Sequence, residues 1–166
     1  MATGTVSTLE PNQWQTISTS TPTSGTAVTF SSISGYKTLM LAWSAVTTTA
    51  ASATGYIRFN SATVNYASAY LTGADTVTVG AKNQVPIDST NGLNNYYTGY
   101  ITVNNVINSA PKIFKGVSWD QYVGIVGTID GVWNDTSALT SITFTITGTT
   151  FSSSNTGVFT LYGIAA

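Results

Sequence analysis

Residues 141–148 read SITFTITG, with Ile142, Phe144 and Ile146 separated without a break by Thr143, Thr145 and Thr147. Apolar residues two apart share one face of a strand, whereas on a helix they would scatter around the axis. The same period runs through residues 37–46, KTLMLAWSAV, where Leu39, Leu41, Trp43 and Ala45 fall on one side. Thr is β-branched and suits the pleated surface, so a Thr-rich outer face favours strand and stays wettable. No window of helical period and no internal repeat occurs anywhere in the chain. This patterning restricts the chain to an all-β fold.

Further strands are expected at 14–18, 27–30, 56–59, 66–71, 76–79, 96–103, 113–119, 123–129 and 157–164. Turn signals punctuate them: SGT at 24–26, SGY at 34–36, Asn91-Gly92, Asp130-Gly131 and SSSN at 152–155. Asn-Gly and Asp-Gly are favoured in two-residue hairpins because both central positions need positive φ. Eight to ten short strands in 166 residues predict one domain over 1–166, an antiparallel β-sandwich of jelly-roll type. Residues 1–12 are expected to form an extended N-terminal arm and 80–95 an exposed connection. The final strand, FTLYGIAA, carries no charge, so it is expected inside a sheet or docked on a neighbour, with Phe159 and Leu161 toward the core and Tyr162 and Ile164 on the other face.

Charged residues make up only 7% of the chain, while Ser and Thr together number fifty. An ordinary soluble domain carries about 25% charge. A surface so poor in ions suits a chain much of whose exterior is covered in an assembly, the alternative being a secreted all-β domain. The first ten residues have neither a basic region nor an apolar run, so no export signal is expected there. No apolar run approaches the roughly 20 residues that span a bilayer as a helix, and no membrane partner is expected. Five scattered basic residues and a pI near 4.9 argue against nucleic acid, whose binding draws on dense positive charge. Arg58, the sole arginine, is expected to be a buried or interfacial hydrogen-bonding anchor.

The residues that carry catalysis are sparse. With no His and no Cys, the commonest general base, nucleophile–base pairs and soft metal ligands are missing. A Ser–Lys pair through Lys37, Lys82, Lys112 or Lys115 is possible in principle but is not expected. Among the acids (Glu10, Asp75, Asp88, Asp120, Asp130 and Asp135), only Asp120, Asp130 and Asp135 lie close enough in sequence to form a carboxylate pair. Asp130 and Asp135 read more simply as turn residues. DSTNG at 88–92 lacks the ligand spacing and closing Glu of a calcium loop. NDT at 134–136 matches a glycosylation acceptor only by coincidence if the chain is not exported. No catalytic residue, metal site or cofactor is therefore expected. NNYYTGY at 94–100 is the strongest aromatic cluster, with Tyr96 and Tyr97 on opposite faces, serving either core and interface packing or sugar stacking.

Three segments in order carry a family resemblance: AVTFSSISGYKTLMLAWSA (27–45), IRFNSATVNYASAYLTG (57–73) and GVWNDTSALTSITFTITGTTFSSSNTGVFTLYGI (131–164). They resemble a group of small virion structural proteins of tailed bacteriophages, frequent in cyanophage and marine phage genomes, in an R-F-N…N-Y segment and a W-x-x-T-x-x-I-T-S-I…F-x-L-Y-G-I ending. Those relatives often place Gly-Asp after R-F-N, whereas Asn60 is followed here by Ser61 and Ala62. Residues 80–128 have no counterpart. The resemblance implies a virion component assembled in the bacterial cytoplasm. The expectation is a capsid decoration (cement) protein that contacts the major capsid protein and copies of itself, as a homotrimer or another homo-oligomer. The alternative is a tail-fibre, baseplate or head-fibre domain that binds a host surface glycan.

Overall fold

The computed structural model describes residues 12–49, 54–72, 81–87, 97–120, 125–154 and 157–166. Their strands are β1 (Gln15–Ser20), β2 (Ala27–Phe30), β3 (Tyr36–Val46), β4 (Thr54–Phe59), β5 (Tyr66–Thr72), β6 (Ala81–Lys82), β7 (Val85–Pro86), β8 (Tyr97–Asn104), β9 (Lys112–Asp120), β10 (Ile125–Trp133), β11 (Ile142–Thr147) and β12 (Val158–Ala165). They form two antiparallel sheets, one of eight strands in the order β1-β12-β3-β8-β9-β10-β5-β6 and one of four in the order β2-β11-β4-β7.

The quartet β1-β12-β3-β8 facing β2-β11-β4-β7 has the strand order of a jelly roll. Its chain alternates between the sheets, so each strand is paired by one distant in sequence. The remaining four strands are additions: the β9–β10 hairpin and the β5–β6 pair extend the larger sheet beyond β8.

Alternation explains the core. Leu39, Leu41 and Trp43 of β3 face inward, as do Ile142, Phe144 and Ile146 of β11 and Phe159 and Leu161 of β12. Aromatic rings stitch the layers together: Trp43 meets Phe144 at 5.4 Å between centroids, and Phe144 meets Phe159 edge-on at 4.8 Å. A second cluster, Phe59 with Tyr66, Phe114 and Trp133, closes the opposite end of the sandwich. Within it Tyr66 stacks on Trp133 at 6.0 Å.

The last strand is internal. β12 pairs with β1 on one side and β3 on the other, and Phe159 and Leu161 are fully buried while Tyr162 and Ile164 lie half-buried on the outer face. Its apolar character thus follows from its place within its own sheet.

Three expectations need correction. Asp130-Gly131 is not a turn but part of β10, opposite Lys115 and Phe114 of β9. A Cβ on Gly131 would stand 2.6 Å from the Phe114 ring, so this glycine makes room for a core aromatic. Within the segment expected to be an exposed connection, residues 81–87 supply β6 and β7, and Val85 and Ile87 are fully buried. Pro86 fits there because β7 is an edge strand and needs no further ladder bond. The strand total of twelve exceeds the expected eight to ten through these two short strands. The strand expected at 76–79, the Asn91-Gly92 turn and the arm over 1–11 lie outside the described residues.

Candidate interaction face

The inward face of the larger sheet is sealed by the core, and its outward face is open. Pairing in register sets outward residues in rows across the strands. One row runs Thr160, Ala42, Tyr100, Val117, Thr128 and Leu71, and the next runs Tyr162, Met40, Thr102, Lys115, Asp130 and Ala69. Large side chains point outward where a solvated face would carry charge: Trp119 is 42% exposed, Tyr100 44%, Ile113 48% and Val126 53%. In β9, Ile113, Val117 and Trp119 lie outside, while Phe114 points into the core beside the small inward residues Gly116 and Ser118. These exposed apolar side chains share one face and are divided by the Lys115–Asp130 row.

Lys115 and Asp130 are the charges on these rows, and they pair across β9 and β10 at 3.4 Å. Both remain well exposed, so the pair adds little to stability. Between it and the Tyr100 ring lies a cleft of about 320 Å³, also lined by Thr102 and Thr128. The outer face of the smaller sheet differs, with Thr29, Thr143 and Thr145 on its surface and Thr29 and Thr143 hydroxyls 3.1 Å apart.

Behind the face, polar side chains fix the loops. Lys112 is fully buried on the inner side of β9, and its Nζ donates to the carbonyls of Asn108 at 3.1 Å, Ala110 at 2.9 Å and Asp135 at 3.2 Å. Three donors thus meet three acceptors, while the ammonium lies 5.9 Å from the Trp133 ring. Burial lowers its pKa from the usual lysine value, and the Asp135 charge opposes that shift. Asp135 itself accepts the Ser137 backbone N–H at 2.7 Å, and bonds from that residue hold its carboxyl below the usual range.

The R-F-N…N-Y residues form one unit. Asn60 and Ser61 have φ of 50° and 57°, and Ala62 N–H donates to the Phe59 carbonyl at 2.8 Å, a type I′ turn. Asn60 Oδ1 accepts the N–H groups of Thr140 at 2.8 Å and Ser141 at 3.0 Å, while its Nδ2 donates to Ala138 O at 2.8 Å. The Tyr66 hydroxyl accepts the Phe59 N–H at 2.7 Å and donates to the Phe59 carbonyl at 3.3 Å.

The sequence candidates fall as follows. Asp120 stands opposite Ile125 and Asp130 opposite Lys115, five residues along the same ladder, or about 17 Å. Asp135 lies beyond the far end of β10, so the register does not assemble a carboxylate pair from these residues. Arg58 is half-buried, donates to Gln84 at 3.1 Å and covers the Tyr56 ring at 4.7 Å, which makes it an anchor between β4 and the β6–β7 segment. Lys37 donates to Asn12 at 2.7 Å. Tyr97 is buried and Tyr100 exposed, so the aromatic cluster splits between core and surface. Glu10, Asp75, residues 88–92 and Tyr96 lie outside the described residues, as does the side chain of Lys82. Among the described residues no group of three or more acids could hold a metal ion. Among the described residues no helix is long and apolar enough to cross a membrane.

Sequence reasoning missed the burial of Lys112 and the outward Trp119 of β9. Both signals were there: Lys112 shares the parity of Phe114, and Trp119 shares that of Lys115. No protein-family model matches the chain, and no curated protein matches it in sequence.

Proposed function

We propose that this chain is a structural protein of a bacteriophage virion, acting as a capsid decoration protein that reinforces the head by protein–protein contact. The open face of the eight-stranded sheet is the observation that carries this reading. It is broad and carries exposed apolar side chains and hydroxyls, and among the described residues its Lys115–Asp130 ion pair is internally neutralised. Such a face gains free energy when covered by another protein surface, at about 25 cal/mol per Å² of apolar area before association costs. The resemblance of 27–45, 57–73 and 131–164 to small phage virion proteins points the same way. The major capsid protein and further copies of this chain are the proposed partners. Electron microscopy of particles carrying a labelled copy tests this: label across the head surface is expected, and label confined to the tail refutes the decoration role.

A second reading, recognition of a host surface glycan, is favoured by the cleft between Tyr100 and the Lys115–Asp130 pair. An exposed ring flanked by a carboxylate, an ammonium and two threonine hydroxyls suits one sugar ring. Saturable binding of purified protein to host cells, abolished by Tyr100→Ala, would favour this reading over the first.

A further inference from the structure

We propose that the outward face of the eight-stranded sheet pairs with the same face of a second copy, about a two-fold axis lying between β9 and β10 along the strands. The proposal rests on the interaction role given to this face above and names its first occupant.

β9 and β10 are antiparallel and in register along their whole length, from Asp120 opposite Ile125 to Lys112 opposite Trp133. A two-fold axis between them, in the plane of contact, exchanges each residue of β9 with its cross-strand partner on β10. Lys115 of one copy then lies over the partner's Asp130, and Asp130 over the partner's Lys115. The neutral ion pair becomes a four-charge cluster of alternating sign, complementary only to itself.

The same operation matches sizes. Trp119 faces the partner's Val126, Ile113 the partner's Val132, and Tyr100 of β8 the partner's Leu71 of β5, because those pairs share rows in the sheet. On every row the larger side chain is on the β8–β9 side and the smaller on the β10–β5 side, so bulk meets space. Stacked sheets keep their strands within about 30° of each other, so the match holds best near the axis, where the charges are.

The axis overlays β9 on β10 and β8 on β5, and these four strands, spaced about 4.8 Å apart with some seven residues each at about 3.3 Å, present a flat face of roughly 450 Å². A standard interface takes about 800 Å² per partner, and outward side chains add to the flat figure.

The test is sedimentation analysis of the purified chain and three variants. Wild type is expected to associate. Lys115→Asp makes its face doubly negative and Asp130→Lys makes it doubly positive, so each alone is expected to associate at least about tenfold more weakly. An equimolar mixture of the two is expected to recover association as a heterodimer, because the negative face then meets the positive one. Trp119→Glu, at an exposed position, is expected to weaken association without altering the circular dichroism. A monomeric wild type overturns the proposal, as does a mixture no tighter than its components, or an oligomer indifferent to all three variants. A chain that dimerises by these rules yet is absent from phage heads refutes the decoration reading alone. One that decorates heads as a monomer refutes the dimer alone.

Discussion

Tyr66→Phe removes a single oxygen atom at the point where the two sheets are tied. Tyr66 stands on β5 of the larger sheet and Phe59 ends β4 of the smaller, so the hydroxyl bonds at 2.7 and 3.3 Å cross the sandwich. Gly55, Ile57 and Phe59 present backbone groups toward β7, but β7 pairs only with Tyr56 and Ile57. The Tyr66 hydroxyl thus takes the place of the missing strand for Phe59. Deleting it leaves a buried N–H without an acceptor, which costs about 1–3 kcal/mol beyond the bond itself. We expect Tyr66→Phe to lose about 2–3 kcal/mol and to lower Tm by about 5–10 °C in this size range. The pH dependence supplies an independent check. Burial, opposed by the Phe59 backbone bond and the Arg58 charge, pushes the Tyr66 phenol up to about 12 from the ordinary 10.0. A folded value above the unfolded one means that its stabilisation is complete below pH 10 and is lost as pH rises through about 12. The difference between wild type and Tyr66→Phe in urea unfolding is therefore expected to hold at neutral pH and to shrink across that window. A variant within 0.5 kcal/mol (about the noise of surface substitutions) would refute the clamp, and a difference unchanged at high pH would refute the origin assigned to it.

Three further outcomes follow from the same geometry. Lys112→Met keeps the stem but strips three carbonyls of their donor, and should cost about 2–3 kcal/mol; hydrogen exchange should show residues 105–111 and 134–139 losing protection first, and unchanged exchange there would contradict the role. Ser61→Gly relieves a left-handed serine at φ 57° with an exposed side chain, and should stabilise by about 0.5–1 kcal/mol in chemical denaturation; a loss would mean the Ser61 side chain matters. Deleting 162–166 removes half of β12 from between β1 and β3, so the truncated chain should fail to fold; a soluble product with wild-type circular dichroism would refute the central placing of that strand.

Strands were legible wherever one face is buried and the other wet, because burial imposes period two: 27–30 coincides with β2, and β11 lies within SITFTITG. Legibility failed where both faces are occupied. Asp130-Gly131 has turn chemistry, yet Asp130 points to an ion partner on the open face and Gly131 yields its space to the Phe114 ring. No local rule reports a neighbour that arrives from another strand. Lys112 failed for a related reason, since a lysine beside an apolar run reads as solvent-facing until its three carbonyls, one from Asp135, are brought in by the fold. Val85 and Ile87 alternate around Pro86, and the proline, which reads as loop, is tolerated because β7 is an edge.

The two parts of the molecule carry different information. The jelly-roll strands come mostly from 15–59 and 142–165, and they enclose the aromatic core. Trp119, Lys115, Ile113 and Tyr100 come from 97–120, on β8 and β9. The β9–β10 hairpin adds two strands to the quartet and leaves Val28, Phe30 and Phe144 untouched, so changes on its outward side carry no penalty in the core. Outward positions of β9 and β10 can therefore change independently of folding. In β9, Ile113, Val117 and Trp119 stand outward where a free surface would place Lys or Glu, while Phe114 and Lys112 fill the inward side beside the small Gly116 and Ser118.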